Sequence, residues 1–281
     1  MKWISIILLF LCTALTAQSL DSSKFHFIPK RPLVNAGKDF TGIFKEPFQN
    51  KKKSLIILGA LGVSTIALYQ FDDEIQRWSQ ANKNHFFTEL SEEFTEPLGG
   101  GKYSVMLLGG IGLTGLVLKN ERWIETAYLG VESFLYAGIL SRVPKILFGR
   151  QRPYVNNIAL KNVFEGPSLG VSTSNWVDQW KSNKNASYIS GHTTTAFALA
   201  TVFAEQSIKY DRNKWVPYVA YGLAGLCSYS RIYDNKHWAT DVLGGALFGH
   251  LIGCYLVRNH HWKINPYRST GSQGLSFSGF F

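Results

Sequence analysis

The sequence predicts an all-α fold, a six-helix bundle embedded in a membrane. Three observations carry that expectation. Six apolar segments of helix length recur between residues 54 and 257. Charged residues make up 17% of the 281-residue chain, against 46% hydrophobic and 14% aromatic, below the roughly 25% charged content of an ordinary soluble domain. Glycines recur three or four residues apart inside two of the segments (Gly109, Gly110, Gly112, Gly115; Gly244, Gly245, Gly249), a spacing that lets helices pack closely.

The chain opens with one Lys, an apolar run from Trp3 to Leu15 and small residues at Thr16 and Ala17. Residues 1–17 therefore read as a signal peptide or an N-terminal anchor. Residues 18–53 form a polar, Pro-dotted lead-in that ends in Lys51-Lys52-Lys53. Residues 54–257 hold the helix candidates: Ser54 to Phe71, Tyr103 to Leu118, Ile124 to Phe148, Gly191 to Ile208, Trp215 to Tyr229 and Trp238 to Val257. A charged, aromatic stretch from Asp72 to Gly101 separates the first two, and its Gly99-Gly100-Gly101 run marks a loop. A polar insert, Tyr154 to Ser187, separates the third and fourth. Residues 258–281 are a C-terminal tail without a strong period.

The first, second and sixth segments approach the ~20 apolar residues a span needs. A near-neutral mean hydropathy keeps a buried bundle in a soluble protein as the alternative. Lys51 to Lys53, Lys119 with Arg122, Lys209 with Arg212 and Lys214, and Arg258 with Lys263 flank the same ends of six alternating spans. Positive charge marks the cytoplasmic side, so the other ends face outward, to the periplasmic side of an inner membrane in the cell envelope. A cleaved leader followed by six full spans would turn those ends inward, so leader and charge pattern make opposing predictions.

The net charge of +10 suits an anionic partner. No nucleic-acid motif accompanies it and the basic residues do not cluster on one element, which argues against nucleic acid. Cys12, Cys227 and Cys254 form neither a disulfide framework nor a zinc spacing, and read as small buried hydrophobes. His250, mid-helix on an apolar run, reads as a core or interhelical histidine. The oligomeric state is left open.

Three polar blocks interrupt the apolar pattern. Lys145 to Pro153 (KILFGRQRP) ends the third helix. Lys145 and Arg152 lie seven apart, about two turns, and Gly149 and Pro153 break the helix. Arg can bind phosphate bidentately and Lys as a point charge. A basic helix end facing water is the plainer reading, and Arg142 and Arg150 are assigned to it. Tyr188 to His192 (YISGH) opens the fourth helix. Ser190 suits an N-cap, Gly191 admits a ligand to the backbone, and free N–H groups there attract anions. Ser230 to Asp241 (SRIYDNKHWATD) spans the turn between the fifth and sixth. His237 opens the last helix and Asp241 follows four residues on, on the same face. A carboxylate on one ring nitrogen fixes the tautomer and frees the other to attack. Each block alone also has a purely structural reading.

In this order, Lys-x6-Arg-Pro, Ser-Gly-His and Ser-Arg-x5-His-x3-Asp resemble the type 2 phosphatidic acid phosphatase family, which shares its core with bacterial acid phosphatases and vanadium haloperoxidases. The likeness covers about Tyr103 to Val257, and departs where the family has Pro before Ser-Gly-His and this chain has Ile189. The resemblance implies a metal-independent phosphatase acting on a phosphomonoester or pyrophosphate, a lipid phosphate or other phosphate ester, with no cofactor and no metal site. It implies that His237 is the nucleophile and forms a phosphohistidine, that Asp241 orients it, and that His192 serves as acid and then base. Lys145, Arg152, Arg231, Ser190 and Gly191 would hold the phosphate. A soluble periplasmic acid phosphatase and a vanadium-dependent haloperoxidase are the alternative members.

Overall fold

The computed structural model describes residues 42–43, 63–155, 186–210 and 214–259, and the backbone alone of 262–269 and 272–279. The expected leader and most of the lead-in and polar insert lie outside the described residues. Five long helices are described: α4 (Lys102–Val117), α5 (Glu121–Leu140), α7 (Gly191–Tyr210), α8 (Trp215–Tyr233) and α9 (Ala239–Asn259). Of the first candidate, residues 63–70 are helical.

The third candidate is two helices, α5 and α6 (Arg142–Phe148), divided at Ser141. Pro144 lies in the first turn of α6. It has no N–H to donate back to Leu140, so α5 cannot run through. Asn120 caps α5 by accepting from the Trp123 amide at 3.3 Å. The stretch from Asp72 to Gly101 is mostly helical: α1 (Asp72–Ala81), α2 (His85–Leu90), a π turn (Ser91–Thr95) and α3 (Glu96–Gly99). Local caps explain these short helices: α1 opens on Asp72, Asp73 and Glu74 at its positive end, and Asn84 caps α2 through the Phe87 amide at 2.8 Å. The loop expected at the glycine run is confined to Gly100 and Gly101, whose φ is 103°. The tail, expected without a period, pairs β1 (Trp262–Ser269) with β2 (Ser272–Gly279) as an antiparallel hairpin, Ser269 opposite Ser272.

Helix α7 is the axis of the bundle and packs on α5, α8 and α9. Ala198 meets Ile252 and Leu256 of α9 with Ala137 and Leu140 of α5. Ala196 and Ala200 meet Ala224 and Cys227 of α8. The approach of α9 is closest, because its glycines face the α7 backbone. A Cβ on Gly249 would stand 2.2 Å from the Thr194 carbonyl oxygen, and one on Gly245 2.7 Å from that of Ser190. In α4, a Cβ on Gly115 would meet Ile124 at 2.9 Å, whereas Gly109 and Gly110 face open space.

Antiparallel neighbours put the end of α6, the start of α7, the end of α8 and the start of α9 at one end of the bundle. The other end gathers the basic flanks: Lys209, closing α7, pairs with Glu125 of α5 at 2.8 Å, and the Arg122 guanidinium lies 5.8 Å from the Tyr210 ring centre. Between the ends, His250 of α9 sits within hydrogen-bond distance of Thr201 of α7 (3.1 Å) and Tyr221 of α8 (3.0 Å), an interhelical histidine as expected. Cys227 and Cys254 are buried, as expected. Among the described residues, α9 alone is long and apolar enough to cross a membrane, and α4 is a shorter apolar helix.

Candidate active site

Backbone hydrogen bonds stitch the three polar blocks together. The Ser187 amide, just before the second block, donates to the Arg150 carbonyl at 3.0 Å, and the Ser190 amide to the Asp241 carbonyl at 3.0 Å. The Trp238 indole donates to the Gln151 carbonyl at 2.9 Å. Residues far apart in the chain thereby form one floor, open to a cavity of about 330 Å³. Lys145, Arg152, Gly191, His192, Arg231 and His237 all line that cavity.

Local geometry places each group. Gly149, with φ 54°, ends α6, its amide donating to the Lys145 carbonyl at 3.1 Å. Lys145 is thus held in a last helical turn and Arg152 released past it, as the Gly and Pro predict. The Lys145 ammonium lies beside the start of α7, 3.6 Å from where a Gly191 Cβ would stand. Arg152 lines the cavity, and its Nε is buried without a hydrogen-bond partner among the described residues. Arg231 is 2% exposed and is steered by Asp234, whose Oδ2 accepts from Nη2 at 2.7 Å and from the Ser91 hydroxyl at 2.7 Å.

His192 rides the first turn of α7 against the glycine run. A Cβ on Gly99 would stand 2.9 Å from the His192 ring, and one on Gly100 3.4 Å from its Nε2. The Gly99 carbonyl accepts from Thr195 at 3.0 Å, fixing this wall to α7. Ser190 caps α7 as its residue type suggests, its hydroxyl accepting from the Thr193 amide at 3.4 Å. It is fully buried, does not line the cavity, and its hydroxyl accepts from Thr193 Oγ at 3.0 Å. It shapes the helix start from behind.

His237 lies in the turn before α9, not on the helix face that the four-residue spacing suggested. Asp241 is in the first turn of α9 and is fully buried. Its Oδ2 accepts from the Trp238 amide at 2.9 Å and the Ser187 hydroxyl at 2.5 Å, and its Oδ1 from Arg150 at 2.5 Å. The Nδ1 of His237 faces Oδ2 at 3.6 Å, beyond hydrogen-bond length, and has no other partner. The Nε2 is therefore the nitrogen turned away from Asp241.

The electrostatics favour an incoming anion. Burial, with Arg152 and Arg142 close by, pushes the Lys145 ammonium down to about 7. Burial, opposed by Asp241 and reinforced by Arg152 and Lys145, pushes the His237 imidazole down to about 3. His237 is accordingly an uncharged imidazole at neutral pH, the form with a lone pair to attack.

Two arginines depart from their assignment to a solvated helix end. Arg142 lines the cavity. Arg150 is fully buried and paired with Asp72 and Asp241; the left-handed turn at Gly149 folds the following residue inward rather than out to water. Lys236 and Glu96, not singled out by the sequence, also line the cavity.

Residues 127–265 match the profile of the PAP2 superfamily. A lipid A 1-phosphatase of Porphyromonas gingivalis is 48% identical over 68 residues, 24% of this chain, and the match spans 15% of that protein's length. Phosphatidylglycerophosphatase B of Bacillus subtilis is 25% identical over 214 residues, 74% of this chain and 92% of that protein. Among solved structures, the transmembrane PAP2-type phosphatidylglycerolphosphate phosphatase of Bacillus subtilis aligns with a TM-score of 0.49 at 21% identity, over 71% of this chain and 93% of that one.

Proposed function

The chain belongs to the PAP2 superfamily through residues 127–265, and on that footing we propose that it is a membrane phosphatase of lipid-linked phosphates working through a phosphohistidine. One observation carries the reading: three cations and two histidines drawn from three separate blocks line a single cavity. The relatives named above act on lipid A and on phosphatidylglycerophosphate, and the same class of substrate suits this cavity.

Lys145, Arg152, Arg231 and the Gly191 amide hold the phosphate oxygens, whose charge grows toward the transition state. The Nε2 of His237 attacks phosphorus as the bond to the leaving oxygen breaks; His192, held down at about 3 in the empty cavity by burial and Arg231, takes up a proton as the phosphate dianion binds and gives it to that oxygen. The attacking imidazole becomes positively charged as it bonds to phosphorus, and the Asp241 carboxylate behind Nδ1 stabilises it. Water, deprotonated by His192, then attacks the phosphohistidine; inorganic phosphate leaves and neutral His237 returns. Glycine at 99 lets the chain pack directly against the His192 ring, where even a Cβ would stand 2.9 Å from it.

The apolar exterior supports a bilayer setting. Met106, Leu113 and Val117 on α4 are 65%, 66% and 80% exposed, and Trp215 and Tyr218 near the start of α8 are as open, suiting the aqueous interface. With the basic flanks cytoplasmic, the cavity faces the periplasm.

Purified, detergent-solubilised protein should release inorganic phosphate from lipid phosphates with EDTA present, and lose it in His237→Ala. Wild-type rates in His237→Ala, or complete loss in EDTA, refute the reading. Quenching turnover in base should trap a phosphoprotein labile to acid, and carbonate extraction should leave the chain in the membrane fraction. Release into the soluble fraction would favour a periplasmic acid phosphatase instead.

A further inference from the structure

The carboxylate behind His237 does not stand alone. Arg150, fully buried, donates from Nη1 to Asp241 at 2.5 Å and to the Thr240 hydroxyl at 2.7 Å, and from Nη2 to Asp72 at 2.6 Å. Its guanidinium also lies 5.5 Å from the Tyr69 ring centre and 5.4 Å from that of Trp238. Asp72 opens α1 and is 1% exposed. Its Oδ1 accepts from the Thr240 amide at 2.9 Å, and its Oδ2 from the Thr240 hydroxyl. One buried cation thus joins α1, the turn after α6 and the start of α9.

The charge count is what matters. Asp241 with Arg150 alone would be a neutral pair, and a neutral pair offers a developing imidazolium little. Asp72 adds a second carboxylate, so the Asp72–Arg150–Asp241 cluster carries a net −1. Facing His237 are Lys145 and Arg152 from the first block, His192 from α7 and Arg231 from α8, and the acids on that side, Glu96 and Asp234, are paired with Arg231. With Glu96 and Asp234 taken up by Arg231, the cluster's net −1 is the negative charge that stands directly behind the ring. Asp72 lies outside the family match at 127–265, so nothing in that match assigns it a part.

We propose that Asp72 is a positioning residue of the reaction: it restores, behind His237, the negative charge that Arg150 cancels, while Arg150 fixes the orientation of Asp241. This rests on the phosphatase reading above. A unit charge removed at this remove in a buried site slows the charge-forming step by about 10- to 100-fold. Substrate phosphate touches the cavity cations and not Asp72, so affinity is spared.

The test is a double-variant cycle on the full chain in detergent, with the lipid phosphate that wild type hydrolyses best. Asp72→Asn should lower kcat by about 10- to 100-fold and leave KM within about threefold. Asp72→Asn with Arg150→Met leaves Asp241 alone at −1, and kcat should recover at least tenfold over Asp72→Asn. A purely structural link predicts the reverse, since the double variant loses more bonds. Unchanged kcat in Asp72→Asn, or a double variant no faster than it, overturns the proposal. Should Asp72→Asn not fold, Asp72→Leu with Arg150→Met decides alone, because apolar replacement of a buried ion pair is commonly tolerated. A kcat within about thirtyfold of wild type supports the charge role; a greater loss, or a chain that does not fold, overturns it. A wild type inactive on every lipid phosphate would instead refute the phosphatase reading.

Discussion

Lys145 gives the sharpest test of the cavity as an oxyanion site. Burial and two arginines hold its ammonium down to about 7, so at pH 8 about nine-tenths of it is uncharged in the empty cavity. A tetrahedral dianion brings negative charge within ~4 Å, worth about 4 kcal/mol at an effective dielectric near 20. That is about three pKa units, enough to keep the amine protonated in the complex at pH 8. Binding at pH 8 should then take up about 0.9 proton per site, because the amine is mostly uncharged before the ligand enters. His237, held near 3, stays neutral at pH 8 even after a similar lift. Tungstate is the suitable ligand, since it remains a dianion where phosphate itself titrates. Calorimetry in two buffers of different ionisation enthalpy reads the proton count directly. Lys145→Met should abolish the uptake and weaken binding most at pH 6, where the wild-type amine is charged. Uptake below ~0.2 proton at pH 8, or equal uptake in Lys145→Met, would show that burial does not hold this lysine as described.

Two further outcomes follow from the packing. Gly249→Val must push α9 off α7, since even a Cβ would stand 2.2 Å from the Thr194 carbonyl oxygen; overpacking of this kind costs about 1–3 kcal/mol or more, read as a lowered Tm in detergent, while Gly109→Val in open space should leave Tm unchanged. Asp234→Asn should free the Arg231 guanidinium from its 2.7 Å anchor. Loss of one charge-assisted bond is worth about 1.5–3 kcal/mol, so Tm should fall, and kcat/KM should drop about 10- to 100-fold as Arg231 leaves its place; activity at the wild-type level would mean that Glu96 suffices to steer Arg231.

What the sequence made legible was local. Helix length and apolar composition located the long helices, and the Gly and Pro of the first block located the turn that separates Lys145 from Arg152. The resemblance brought the histidines and phosphate-binding cations together, because the order and spacing of three blocks encode one end of a bundle. Pro144 was a readable break that the long apolar run concealed. The short helices between 72 and 99 carry their caps in plain view, but their charge and aromatic content gave no apolar period to notice.

The buried arginine shows why the rest was hidden. Arg150 and Arg152 look alike in KILFGRQRP, and only the left-handed turn at Gly149 decides which faces the core and which the cavity. Asp72 is 169 positions from Asp241 in sequence, so no spacing rule links them. A buried charge requires partners or it does not stay charged, which means that burying Arg150 commits the fold to carboxylates on both sides of it. Asp241 satisfies one side and is already needed by His237; a second acid had to come from elsewhere in the chain, and α1 supplies it. The charged stretch that the sequence places between two apolar segments is thereby tied to the chemistry through the charge Asp72 contributes, and loss of that charge should be felt in kcat before it is felt in substrate affinity.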